Sequence, residues 1–68
     1  MGSKMEELKL ELDRILNSIT DVESAKSALV KLVMMTPGQS VERLDLITDA
    51  GGQAMRICLQ MMRSGKGE

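Results

Sequence analysis

Cys58 is the strongest nucleophile in the chain, and its sequence surroundings do not prepare it for covalent chemistry. A thiol becomes reactive where a cation or a helix N-terminus favours its thiolate. Its one nearby cation, Arg56, points to the polar side of a helix on which Cys58 falls among apolar residues. That pattern describes a buried structural cysteine. The sequence has no His, so the commonest general base and the commonest zinc ligand are missing. One Cys can neither close an intrachain disulfide nor complete a thiolate cage.

Three other arrangements imitate functional sites. Glu6, Glu7, Glu11 and Asp13 gather carboxylates as a metal or acid/base site would, yet their helical-wheel positions spread around a solvent face and Lys9 and Arg14 interleave them. The run Asp49, Ala50, Gly51, Gly52 has the glycines of a phosphate loop without its Lys and Ser/Thr and without a preceding strand. The segments flanking Thr36 to Gln39 have the outline of a helix-turn-helix. The would-be reading helix, however, opens with Glu42 and Asp45, which repel phosphates and base acceptors. These residues predict a protein that is not an enzyme and needs no metal or cofactor, so that function must lie in surfaces.

Bulk properties point the same way. The chain has 68 residues, 43% of them hydrophobic and 28% charged, with no aromatic residue and seven Met. It holds one small domain, whose core leaves only about 3 to 5 kcal/mol of net stability. Without Trp, Tyr or Phe to supply large buried areas, a second copy or another protein is an expected source of further burial. Nine basic residues against ten acidic ones give a net charge of −1, and the signs are scattered, so nucleic acid is a disfavoured partner. No apolar run reaches the roughly 18 to 20 residues that span a bilayer. An intracellular, cytoplasmic setting is expected, which a lone free Cys suits.

Apolar periodicity supplies the elements that position these surfaces. Met5, Leu8, Leu12, Ile15, Ile19 and Val22 alternate at steps of three and four, the spacing of a narrow helical seam that Leu16 widens. Leu10 points away from it. The register then slips, with Val22, Ala25, Leu29 and Leu32 defining a new stripe. Thr20 and Glu23 stand at the spacing of a capping box, so one helix is expected to end near Asn17 or Ser18 and a second to run from about Asp21 to Met35. One long helix from Lys4 to Met35, in a two-helix hairpin that dimerises into a four-helix bundle, is the alternative. Thr36, Pro37 and Gly38 form the strongest breaker, and Ser40 is placed to cap the third segment.

That third segment carries two apolar strips side by side. Val41, Leu44, Ile47, Gly51, Met55, Cys58 and Met62 form the first, and Leu46, Ala50, Ala54, Ile57 and Met61 the second. Together they cover an arc of roughly 220° at 100° per residue. Gly51 and Gly52 each cost about 1 kcal/mol relative to Ala inside a helix, but the periodicity persists across them and predicts a continuous helix. A track of Ala50, Gly51, Ala54 and Cys58 would let a neighbouring helix approach closely.

The expected fold is an all-α, small antiparallel three-helix bundle over residues 4–63. Residues 1–3 read as a tag or disordered start with Ser3 a weak N-cap, and residues 64–68 as a disordered tail. The expected function is a non-catalytic protein-interaction or oligomerisation module. Its third helix would bury Leu46, Ala50, Ala54, Ile57, Met61 and Met62, joined by Met34 from the second, against a partner helix or in a homodimer. Val30 and Leu10 join Met34 in lying off the stripes of their helices. A small regulatory nucleic-acid-binding dimer is the competing expectation, and it requires Arg43, Arg56 and Arg63 or Lys66 to align across two subunits.

Overall fold

The structure, a computed structural model, describes residues 4–66, with side chains through Ser64. It is a three-helix all-α bundle: α1 spans Lys4–Asn17, α2 Val22–Met34 and α3 Val41–Lys66. The expected tag at residues 1–3, its weak cap Ser3 and the last two residues lie outside the described part. Within it, α3 continues three residues beyond the expected end at Arg63, through Ser64 to Lys66. Once a helix is nucleated, each added residue brings a hydrogen bond for one more pair of fixed dihedrals, and Gly65 does not stop it.

The chain breaks between α1 and α2, which rules out a single helix from Lys4 to Met35. At the end of α1 the Ser18 N–H donates to the carbonyls of Arg14 and Ile15, its Oγ donates to the Ile15 carbonyl at 2.6 Å, and the Ile19 N–H donates to Leu16. These bonds satisfy terminal carbonyls that a continuing helix would use. Ile19 then packs against the core, and Asp21 adopts an extended backbone (φ −154°, ψ −177°) as the N-cap of α2.

The capping box is therefore one residue later than Thr20 and Glu23 suggest. The Asp21 carboxylate accepts from the Ser24 N–H at 2.8 Å, and Ser24 Oγ accepts from the Asp21 N–H at 2.9 Å and from the Thr20 N–H at 2.8 Å. The compact Ser hydroxyl at the third helical position thus answers two backbone donors at once.

The second turn forms as the sequence predicts. Met35 caps α2 with its N–H on Lys31 and Leu32, and Thr36 Oγ1 donates to the Val33 carbonyl at 2.7 Å. Gly38 takes φ +78°, which a Cβ would oppose. Ser40 Oγ accepts from the Arg43 N–H at 3.3 Å to open α3.

At 26 residues α3 is about 39 Å long, roughly twice the length of either partner. The antiparallel course of α2 against it is visible at both ends: Val22 lies beside Ile57 and Met61, and Val33 beside Thr48 and Met55. Along its opposite flank, Leu12 and Leu16 of α1 face Leu46, Ala50 and Gln53. The core gathers Leu8, Leu12 and Ile15 from α1, Ala28 and Leu32 from α2, and Ile47, Ala50 and Ala54 from α3. Ala25 and Cys58 are buried as well. With Ala25 and Ala28 on α2, and Ala50 and Ala54 on α3, small residues line both helices, and side chains of that size permit a short interaxial distance.

Candidate interaction surface

The core cuts down the middle of α3's apolar arc instead of following either predicted strip. Since α1 approaches from the Leu46 side and α2 from the Gly51 side, the buried stripe consists of Ile47, Ala50, Ala54 and Cys58. Ala50 and Ala54, expected at an outer interface, are core residues at 3% and 0% exposure. Leu46, Ile57 and Met61 are half-buried. Of the residues predicted for contact, Met34 and Met62 stand clearly exposed. Conversely Val41 and Met55, assigned to the strip with Ile47, face solvent. Two short helices cannot cover 220° of a third, so one edge of the arc is left bare.

That bare edge is a continuous outer seam. Thr48, Gly52, Met55, Leu59 and Met62 succeed one another at steps of four, three, four and three, and all are exposed. Leu59, at 55% exposure, belonged to neither predicted strip; the seven-residue spacing of Val41, Thr48, Met55 and Met62 is the signal that marks this face. On the α2 side the seam runs into an apolar groove of about 360 Å³ where Val33 and Leu29 meet Gly51, Gly52 and Met55. Val33 carries the apolar surface onto α2, where Val30 and Met34 are exposed as well.

The glycines sit at the centre of this surface. The helix is continuous through Gly51 and Gly52. A Cβ added to either would meet nothing within 4 Å, so neither residue is required by packing inside the chain. Close approach within the bundle is made by Ala50, Ala54 and Cys58, and the predicted small-residue track loses Gly51 as a contact. On the outer face Gly52 leaves a dip walled by Thr48, Asp49 and Arg56.

Charges line the far edge of the seam. Glu42, Asp49, Arg56 and Arg63 recur every seven residues and are all exposed, with acids in the N-terminal half of α3 and cations in the C-terminal half. Arg43 lies elsewhere: it is half-buried, and its Nε donates to Gln39 Oε1 at 2.7 Å. Within one chain Arg43 therefore does not share a face of α3 with Arg56 and Arg63. The antiparallel course of α2 and α3 also differs from the roughly 90 to 120° crossing of a helix-turn-helix.

The residues that imitate chemistry remain apart. Cys58 is buried at 7% exposure. Glu6, Glu7, Glu11 and Asp13 all face solvent. Among the described residues no group of three or more His, Cys, Asp or Glu is placed to hold a metal ion, and no helix is long and apolar enough to cross a membrane. No protein-family model, no curated protein and no solved structure matches the chain.

Proposed function

We propose that this domain is a non-catalytic helical interaction or oligomerisation module that works by burying the outer seam of α3, with the adjoining edge of α2, against another protein surface. The observation that carries this reading is the run of exposed apolar side chains from Met62 through Leu59 and Met55 to the groove beside Val33. Single exposed hydrophobics are ordinary, but a contiguous patch rimmed by charges is the usual mark of a binding face. Two of its members, Met55 and Met62, are Met, whose unbranched thioether chains adapt to a partner's contour. Removing the patch from water is worth about 25 cal/mol per Å² before the costs of association. A cytoplasmic setting suits the lone unpaired thiol of Cys58.

The test compares the wild-type domain with a Met34→Asp/Leu59→Asp double variant, both positions being exposed, in chemical cross-linking alone and in cell extract. The wild type is expected to acquire a defined covalent partner, itself or another protein, that the variant loses while retaining the same helical circular dichroism. Equal cross-linking of the two folded proteins overturns the reading.

A further inference from the structure

Resting on that reading, we propose that the occupant of this face is a second copy of the chain, with α3 packed antiparallel against its equivalent about a twofold axis at the level of Gln53, between Gly52 and Met55. Three observations converge on a self-partner. The first is the seam itself, since steps of four and three are the spacing by which paired helices interlock side chains. The seam departs from a normal apolar stripe at its second member, where Gly52 opens a dip in the helix surface that no residue of the same chain fills. In the antiparallel register, Met55 of one copy enters the dip over Gly52 of the other, and Leu59 meets Thr48.

The second observation is the order of charges at the seam edge. Glu42, Asp49, Arg56 and Arg63 read acid, acid, base, base, and exposed Asp45 beside the dip adds a further acid to the N-terminal half. Antiparallel pairing brings Asp49 of one copy to Arg56 of the other and Glu42 to Arg63, four complementary pairs across the twofold axis. Parallel pairing would set this row on opposite sides of the seam in the two copies, facing Leu44, Gly51 and Cys58, and would form none of these pairs. Flanking charges of this kind set partner choice and orientation in paired helices.

The third is length. At 26 residues α3 is roughly twice as long as α1 or α2, so the two cannot cover it and a surface of its own length remains for a second α3. Val33 lies beside Gly52 and Met55, so the same twofold axis brings the exposed edge of α2 toward its equivalent and extends the buried surface.

The test is sedimentation equilibrium, read by refractive index because the chain has no Trp or Tyr, from micromolar to near-millimolar protein at low salt. Wild type is expected to dimerise. Asp49→Arg and Arg56→Asp should each raise the dimer Kd by about tenfold, because each reversal turns two attractive contacts into two repulsive ones. The double variant Asp49→Arg/Arg56→Asp should return to the wild-type Kd. All four positions tested or paired are exposed, so circular dichroism should be unchanged throughout. A dimer indifferent to the single reversals, or a double variant weaker than either single, overturns the antiparallel register. A helical monomer at every concentration overturns the second copy as partner. That last result leaves the interaction reading intact if the extract experiment still yields a different partner protein lost in Met34→Asp/Leu59→Asp; loss of both results ends both proposals.

Discussion

The inner and outer faces of α3 have similar apolar content and opposite fates. Inside, Ile47, Ala50, Ala54 and Cys58 are between 0% and 7% exposed; outside, Met55, Leu59 and Met62 are between 46% and 55% exposed. Residue size separates them more clearly than hydrophobicity does. The inner stripe is mostly Ala and Cys, which lets α1 and α2 come close, whereas the outer seam carries long side chains around a single glycine. A face matched by neighbours carries side chains small enough to fit them, and the outer face shows no such trimming.

Charge introduced on each face gives the sharpest contrast. Ile47→Asp should unfold the domain outright, since an unpaired carboxylate at 2% exposure costs more than the net stability of about 3 to 5 kcal/mol available to a chain this small. Loss of the helical circular dichroism signal checks it. Truncation in the same core should be nearly as damaging: Leu32→Ala removes a side chain 2% exposed and should cost about 2 to 5 kcal/mol, measurable by urea titration. On the outer face Leu59→Asp should leave the urea midpoint of the monomer within experimental error and abolish association in sedimentation. If Leu59→Asp unfolds the monomer as Ile47→Asp does, the distinction between the faces is wrong.

Gly52→Ala sharpens the comparison further. The new Cβ meets no atom of its own chain, so the isolated domain should gain about 0.4 to 1 kcal/mol through lower unfolded-state entropy and better helix propensity. The dimer should weaken at the same time, because the methyl group occupies the dip proposed for Met55 of the second copy. Stability and association moving in opposite directions would place the reason for this glycine outside the monomer.

The smallest effect belongs to the α2 cap. The Asp21 carboxyl is held below its ordinary value of 3.8 by the backbone hydrogen bond from Ser24, and secondarily by the Ser24 side chain. A depressed folded-state pKa means that this contribution is fully present above the unfolded value and is lost as pH falls through the folded one. Thermal melts of wild type and Asp21→Asn should therefore converge as the pH is lowered below about 3.8. A constant difference across that range would remove the ionised cap from the account.

The sequence by itself favoured three helices over two and located most of their ends, because those depend on neighbours in the chain; α3 runs three residues past its expected end at Arg63. Steps of three and four marked each helix, Thr36 to Gly38 marked the second turn, and the slip at Val22 marked the first. The capping box was misplaced by one residue, since Asp21 and Ser24 compete with Thr20 and Glu23 for the same backbone donors and only the extended backbone at Asp21 decides between them. Val30, Met34 and Leu10 were legible as exposed because they lie off the stripes of their helices.

What only the tertiary structure decided was which part of α3's wide apolar arc faces inward. A helical wheel gives directions around one axis and no information about where the two neighbouring axes lie. Ala50 and Ala54 therefore read as surface, and Met55 as core, until α1 and α2 were set against their flanks. The same limitation hid Leu59 and the row of Glu42, Asp49, Arg56 and Arg63: their seven-residue spacing is present in the chain, but it acquires meaning only once the bundle has turned that edge of the helix toward solvent.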